Sequence, residues 1–185
     1  MTLETINAVS SRATCLYSEQ EVEMAIDAMA SVISGRLHGH NPILLCVMNG
    51  GLILTGRLAV RLKFPLQMDY LHATRYRNKT RGADLHWERY PSISLEGRLV
   101  VVIDDILDEG DTLAAVVAYC QVQGAREVLS AVLVDKQHER KTTNLKADFV
   151  GLEVPDYYLY GYGMDYKGYL RNAPGIFAVD PADCD

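Results

Sequence analysis

The chain has 185 residues, of which 49% are hydrophobic and 23% charged. This composition excludes an intrinsically disordered chain. The length suits one domain, residues 1–185, with a buried core and room for a small cap. The net charge of −6 argues against broad contact with nucleic acid, which needs a basic surface.

No feature of the sequence indicates a membrane or an exported protein. No apolar run approaches the roughly 20 residues of a membrane span, and residues 1–11 lack the basic start and apolar stretch of a signal peptide. The four cysteines form no C-x-x-C pair, and Cys46 and Cys120 lie in apolar runs, where buried thiols are the usual interpretation. We therefore expect a reduced, cytoplasmic protein.

The first predicted element is a helix with a capping box. Ser18 is the expected N-cap, and Glu21 can reach back to it. Apolar residues then recur at helical spacing, so the helix is predicted to run to about Leu37 and to end at Gly39.

Short apolar runs and helical patterns alternate through the middle of the chain. Ile43–Met48 precedes a helix that ends near Leu62, and Leu99–Ile103 precedes a helix over Thr112–Gln123. Val128–Val134 is a third such strand. Strands that are apolar on both faces and alternate with helices predict an α/β fold with a parallel sheet covered on both sides. The pieces within Phe149–Val179 are short and interrupted by proline and glycine, which is typical of a cap rather than further helix–strand units.

Residues 74–97 fit none of these elements. With Arg98 at its edge, the segment carries six basic residues: Arg75, Arg77, Lys79, Arg81, Arg89 and Arg98. Loops this long inside compact domains are usually functional lids or disordered. A solvated surface loop is the alternative.

The most informative stretch is residues 100–112. A buried strand ends in the adjacent acids Asp104 and Asp105, a turn with glycine follows, and a helix begins at Thr112. Ligands bind at this edge of open α/β sheets. Free amides at a helix start suit a phosphate, and paired carboxylates suit sugar hydroxyls or Mg²⁺. The stretch therefore predicts a ribose phosphate ligand, although an acidic turn capping a helix is the simpler alternative.

The same stretch resembles the phosphoribosyl pyrophosphate-binding signature of type I phosphoribosyltransferases, in the form used by the hypoxanthine-guanine branch. Four further motifs follow that family's order: residues 47–51 resemble the pyrophosphate loop, 132–136 the strand ending in a purine-contacting lysine, 154–166 the hood over the base, and 169–171 a segment with a pyrophosphate-contacting arginine. The resemblance implies a twisted parallel sheet flanked by helices as a core over about residues 40–150. It also implies a small hood over the purine site, formed by about residues 151–185 with the N-terminal region, and a mobile lid at about 74–97.

The resemblance also implies roles for individual residues on the sugar and phosphate side. Asp104 and Asp105 would hold the ribose hydroxyls, and Asp108 would be the general base for the purine N7 proton. The 5-phosphate would be bound by the turn that contains Glu109, Gly110, Asp111 and Thr112. Pyrophosphate would be bound by Asn49, Gly50 and Arg171, with a cis peptide expected at Met48–Asn49.

On the purine side, the resemblance implies that Lys136 donates to the purine O6, Tyr158 stacks on the base and Leu159 contacts its edge. Asp165 would lie at this site and hold Mg²⁺ through water, with Asp104 as a further metal ligand. Arg75 and Tyr76 align with the lid pair.

Some positions depart from the family pattern. Glu109 and Asp111 add acids to a phosphate loop, so we expect their side chains to point outward. Asn49 stands where a basic residue is common, and Arg75 where serine is common. These departures concern pyrophosphate affinity and lid contacts and not the reaction type.

The implied activity is transfer of the phosphoribosyl group to hypoxanthine or guanine, with Mg²⁺, giving IMP or GMP in purine salvage. The expected partners are small-molecule substrates and a second copy of the chain in a homodimer or homotetramer, without nucleic acid or membrane. A nucleic-acid-binding regulator with this fold is one alternative, and a transferase for adenine, xanthine or orotate is another. His38 and His40 form a weak candidate metal pair, and Tyr157, Tyr160 and Tyr162 are expected in the core or at the rim.

Overall fold

The computed structural model of the protein describes residues 1–75 and 85–184. The described helices are α1 Leu3–Arg12, α2 Glu19–Leu37, α3 Leu52–Ala59 and α4 Asp111–Val122, with a 3₁₀ turn at Pro181–Asp183. The described strands are β1 Thr14–Ser18, β2 Ile43–Met48, β3 Gln67–Arg75, β4 Leu85–Arg89, β5 Leu99–Leu107, β6 Glu127–Gln137, β7 Phe149–Pro155, β8 Leu159–Tyr160 and β9 Gly175–Ala178.

Six of these strands form a central sheet in the order β4-β3-β2-β5-β6-β7. The five strands from β3 to β7 in this order are parallel to one another. The edge strand β4 pairs antiparallel with β3. The predicted α/β fold with a largely parallel sheet is therefore confirmed.

The central strands are apolar on both faces because helices cover both. Alternate residues of β5 divide between two clusters: Val101 packs with Leu54 of α3 and Ile26 of α2, whereas Val102 packs with Val116 of α4 on the opposite face. Each buried side chain of this size contributes roughly 1.5–3 kcal/mol.

Helix α2 begins as predicted. The Glu21 amide donates to Ser18 Oγ, and the Ser18 amide donates to Glu21 Oε2 at 2.8 Å. The helix ends at Leu37. Helix α1, of which only Ile6 and Val9 are buried, was not predicted.

A second, three-stranded sheet joins the two ends of the chain in the order β1-β9-β8. Residues 149–155, which the sequence pattern assigned to a cap, instead form β7 and pair with β6 in the central sheet. This strand was misassigned because Gly151, Glu153 and Pro155 interrupt its apolar pattern.

The segment expected to be one long loop contains part of a strand pair. Thr74 pairs with His86 across β3 and β4, and Arg75 with Leu85. Residues 76–84, and with them the predicted lid residue Tyr76, lie outside the described residues. The predicted mobility of a lid at 74–97 stays a prediction.

All four cysteines are free thiols, and Cys46 and Cys120 are buried as expected. Over residues 1–75 and 85–184, no helix has both the length and the apolar character needed to cross a membrane.

Candidate active site

The carboxyl ends of β2, β5 and β6 open into a pocket of about 630 Å³. Parallel strands deliver their following loops to one edge, which is why segments far apart in sequence meet here. Eleven of the predicted site residues line this pocket: Asn49, Gly50, Asp104, Asp105, Asp108, Thr112, Lys136, Tyr158, Leu159, Asp165 and Arg171. An adjoining pocket of about 270 Å³ follows the turn after β5 and is lined also by Glu109 and Gly110.

The acid pair at the end of β5 is largely buried. Asp104 is 9% exposed and Asp105 7%, and the Asp105 amide donates to Asp104 Oδ1 at 2.9 Å. Burial raises the pKa of both carboxyls, and the pKa of Asp104 is raised further by the charge of Asp105. The positive charge of Arg171, whose Nη1 lies 3.8 Å from Asp105 Oδ2, acts to lower the pKa of both carboxyls. Because burial disfavours the charge on both carboxyls, a hydroxyl donor or a cation at the pocket would stabilise their charged forms.

The turn after β2 lies directly against this pair. The Met48–Asn49 peptide is cis, as expected. A Cβ at Gly50 would lie 2.3 Å from Asp105 Oδ2, and a Cβ at Gly51 would lie 2.3 Å from the Ile103 carbonyl oxygen. The two glycines therefore allow the predicted pyrophosphate loop to approach the acids.

The predicted phosphate turn leads into α4. Gly110 has a φ of 93° and is the N-cap of the helix, where glycine offers no side chain to cap the first amides. A Cβ at Gly110 would also lie 2.6 Å from Thr143 Oγ1. The turn therefore packs closely against the loop after β6.

The two unexpected acids of this turn have partners in that same loop. The Thr142 hydroxyl donates to the Asp111 carboxylate, and Arg140 Nη1 lies 3.7 Å from Glu109 Oε1. The Thr142 amide also donates to the Glu109 carbonyl oxygen at 3.0 Å. These contacts hold both acids toward the loop after β6.

Asp108 lies at the centre of a charged cluster. Lys136 Nζ donates to Asp108 Oδ2 at 3.0 Å, and His138 Nε2 lies 2.6 Å from Asp108 Oδ1. Burial alone would raise the pKa of Asp108, but these two partners outweigh it and leave the pKa below its ordinary value. Lys136 Nζ also lies 3.3 Å from Asp156, and Arg140 Nη2 donates to both Asp156 oxygens at 2.6 and 2.7 Å.

Three residues of this cluster were not predicted as site residues: His138, Arg140 and Asp156. The signal for His138 was its position two residues after Lys136 and one residue beyond β6, since side chains two apart in an extended chain point to the same side. Strand parity alone does not indicate which partner a side chain meets.

The hood segment closes the other side of the pocket. Leu159 is buried, and the Tyr158 ring packs against Tyr166 at 5.5 Å between centroids. Arg171 connects hood and loop: its Nη2 lies 2.6 Å from Asp165 Oδ1, and its Nη1 donates to the Gly163 carbonyl oxygen at 2.5 Å. A Cβ at Gly163 would lie 2.1 Å from the Gly50 carbonyl oxygen, so the hood contacts the predicted pyrophosphate loop directly.

The other candidates of the sequence analysis lie elsewhere. Tyr160 and Tyr162 are buried and Tyr157 is 46% exposed, so of the four neighbouring tyrosines Tyr158 is the one that lines the pocket. His72, which was not predicted, also lines it and lies 2.8 Å from Glu88 through Nδ1.

One group of described residues has ligand atoms close enough to hold a metal: Asp108, His138 and Asp156. Lys136 and Arg140 already neutralise these carboxylates, so this group does not fit a cation. Asp104, Asp105 and Asp165 offer only oxygen donors at the pocket, which is the ligand chemistry that Mg²⁺ prefers.

Comparison with known proteins gives a consistent result. Residues 13–167 match the phosphoribosyl transferase domain family. The chain is 32% identical over 168 residues to the hypoxanthine-guanine phosphoribosyltransferase of Bacillus subtilis, covering 90% of this chain and 93% of that protein. It is 27% identical over 161 residues to the hypoxanthine-guanine-xanthine phosphoribosyltransferase of Tritrichomonas foetus, covering 87% and 88%. Among solved structures, a hypoxanthine-guanine phosphoribosyltransferase from Bacillus anthracis superposes with a TM-score of 0.85 at 26% identity, covering 90% of this chain and 98% of that one.

Proposed function

Because this chain belongs to the phosphoribosyl transferase domain family, we propose that it transfers the 5-phosphoribosyl group of phosphoribosyl pyrophosphate to hypoxanthine or guanine. The products are IMP or GMP and pyrophosphate, which makes the protein an enzyme of purine salvage. The observation that carries this proposal is the convergence of the acid pair, Asp108 and Lys136 on one pocket below Tyr158.

The sugar phosphate is proposed to bind along the end of β5. Asp104 and Asp105 accept from the two ribose hydroxyls, and the amides between Gly110 and Thr112 bind the 5-phosphate at the start of α4. The support is the lining of the two adjoining pockets, which share the acid pair and Thr112.

Pyrophosphate leaves on the side of Gly50 and Arg171. Arg171 Nη1 lies within 3.8 Å of Asp105, so its positive charge is close to the bond that breaks. A fixed cation next to a leaving group stabilises the charge that builds on it in the transition state.

The base is proposed to lie between Tyr158 and the end of β6. Lys136 donates to the purine O6, Leu159 contacts the ring edge, and Asp108 takes the N7 proton as N9 attacks the anomeric carbon. Lys136 Nζ lies 3.0 Å from Asp108 Oδ2, so the lysine is directed to the place where Asp108 is proposed to meet the purine.

Mg²⁺ is proposed as the cofactor, held by Asp165 through water and by Asp104. When bound, the ion neutralises charge on the pyrophosphate. Asp165 is held in place by Arg171 and by the Gly168 amide, which donates to Asp165 Oδ2 at 2.6 Å.

We further propose that the chain is one domain. The hood is formed by the β1-β9-β8 sheet with its adjoining loops, and the lid is formed by residues 74–97, including Arg75 and Tyr76, which close over the reacting groups. We propose a cytoplasmic homodimer or homotetramer, and that no nucleic acid or membrane is bound.

One experiment tests the activity directly. Purified protein is incubated with Mg²⁺, phosphoribosyl pyrophosphate and one purine at a time, and nucleotide product is measured. IMP and GMP are expected, with no product when Mg²⁺ is chelated. Absence of IMP and GMP together with retention of RNA or DNA in a filter-binding assay would favour the regulator and contradict the proposal.

A further inference from the structure

His138 contacts the candidate general base, Asp108, but does not line the pocket. Its Nε2 lies 2.6 Å from Asp108 Oδ1, and its side chain is 5% exposed, against 39% for Asp108. Asp108 and Lys136 line the pocket of about 630 Å³, whereas His138 lines neither of the two pockets at the acid pair. A histidine in this place can act on the carboxylate without touching a substrate.

The hydrogen-bond network assigns the tautomer of His138. The backbone amide of Arg140 donates to His138 Nδ1 at 3.0 Å, so Nδ1 must be an acceptor and the hydrogen must be on Nε2. A protonated Nδ1 would face this amide donor against donor. His138 therefore donates to Asp108, and its own orientation is fixed by the backbone.

The two oxygens of Asp108 have different partners. Oδ1 accepts from His138, and Oδ2 accepts from Lys136 Nζ at 3.0 Å. In the proposed reaction Lys136 donates to the purine O6, which frees Oδ2 to receive a proton. Oδ1 keeps its bond to His138, because that bond does not involve the lysine.

We propose that His138 is a positioning residue for the transferase reaction: it holds Asp108 Oδ1 so that Oδ2 alone faces the N7 proton of the purine. This inference rests on the proposed function. In the step concerned, the bond from N9 to the anomeric carbon forms, the bond from that carbon to pyrophosphate breaks, and the N7 proton passes to Asp108 Oδ2. His138 keeps its own proton throughout.

Other charged groups around Asp108 do not replace this bond. Arg140 Nη2 is 3.9 Å from Asp108 Oδ1, which is beyond hydrogen-bonding distance, and the arginine is engaged with Asp156. Glu109 is the adjacent acid on the same turn and repels the carboxylate. When Lys136 turns to the purine, His138 is the remaining direct donor that the described contacts give to Asp108.

Two substitutions separate the bond to Asp108 from the bond to the backbone. His138→Asn keeps an oxygen near the position of Nδ1 to accept from the Arg140 amide, but it is too short to reach Asp108. His138→Gln is long enough to offer both an acceptor and a donor. His40→Asn and His40→Gln are the matched controls, since His40 is an exposed histidine outside the site. Thermal melts of all variants establish that they are folded, and His138→Leu replaces His138→Asn if the latter is not.

We expect His138→Asn to lower kcat for IMP formation about 10- to 100-fold, because the carboxylate loses part of its orientation. KM for phosphoribosyl pyrophosphate should stay within about twofold. The acidic limb of the profile of kcat/KM against pH should move to higher pH, because a hydrogen bond to the charged carboxylate lowers the pKa of Asp108 and its loss raises it. His138→Gln should restore most of kcat and return the limb toward the wild-type position.

A double-mutant cycle with Asp108→Asn decides whether His138 acts through Asp108. If it does, His138→Asn lowers kcat by less than about twofold further in the Asp108→Asn background. An equal loss in both backgrounds, or an unmoved acidic limb in His138→Asn, would overturn the positioning role. Failure of the wild-type protein to form any nucleotide would show that the proposed function itself is wrong, whereas IMP formation with no effect of His138→Asn would remove His138 alone.

Discussion

Gly50 is the position where a single methyl group tests the geometry of the acid pair. A Cβ on Gly50 would lie 2.3 Å from Asp105 Oδ2 and 2.5 Å from Asp105 Cγ, and real Cβ atoms do not approach other heavy atoms below about 3.0 Å. In Gly50→Ala the Asp105 carboxylate must therefore move away from residue 50 and lose its present position. Asp105 is 7% exposed, so the carboxylate has little open space to enter.

The size of the effect follows from the bond that Asp105 is proposed to make. A hydrogen bond to a charged acceptor contributes about 1.5–3 kcal/mol, which corresponds to about 10- to 150-fold in rate or affinity. We expect kcat/KM for phosphoribosyl pyrophosphate to fall by that factor in Gly50→Ala. The KM for hypoxanthine, measured at saturating phosphoribosyl pyrophosphate, should change less, because the purine is proposed to bind on the Lys136 side.

Gly56→Ala is the matched control. Gly56 lies inside α3, and no atom of the described residues lies within 4 Å of the methyl group that alanine would add, so the same chemical change meets open space. Alanine in a helix interior is favoured over glycine by about 1 kcal/mol, and we expect unchanged kinetics with an equal or higher Tm. Wild-type kcat/KM for phosphoribosyl pyrophosphate in a folded Gly50→Ala protein would refute the assignment of Asp105 to the sugar.

Three further predictions concern the cluster at the end of β6. Asp108→Asn should lower turnover about 10²–10⁴-fold while phosphoribosyl pyrophosphate still binds by calorimetry; turnover within a few-fold of wild type would remove Asp108 from the mechanism. Lys136 should make the wild-type enzyme use hypoxanthine at least about 10²-fold better than adenine, because an ammonium donor facing the adenine amino group is left unpaired, and equal kcat/KM for the two bases would contradict this. Burial tends to raise the pKa of Asp108, but Lys136 and His138 lower it more, so the folded pKa lies below the ordinary value. The charged carboxyl therefore stabilises the fold above the unfolded pKa of about 3.9. This stabilisation is lost as pH falls through the lower folded pKa. The free energy of unfolding should therefore fall more steeply between about pH 5 and 3 for wild type than for Asp108→Asn, and parallel curves in urea titrations would speak against the ion pair.

The parts of the fold that sequence could predict are those encoded locally. The capping box at Ser18 and the apolar run of β5 are short-range patterns, and both are found in the structure. Strand β1 pairs with β9 near the other end of the chain. Strands β4 and β7 pair with the strand that precedes each of them, but their residues are too mixed in polarity, or too interrupted by glycine and proline, to indicate a strand. A distant partner for β1 and an irregular apolar pattern in β4 and β7 explain why these elements were missed.

The site shows the same division between local and distant determinants. The order of acids and glycine from Asp104 to Thr112 indicates its own chemistry, because strand end, turn and helix start are consecutive in the chain. The partners of the two extra acids in the phosphate turn lie about 30 residues further along the chain. Thr142 donates to Asp111, and Arg140 lies 3.7 Å from Glu109. Since these partners reach the turn only when the loop after β6 folds back onto it, no pattern within residues 100–112 could indicate them. The departures from the family pattern at Glu109 and Asp111 are therefore matched by contacts from that loop. The same loop supplies His138, which contacts the proposed general base Asp108.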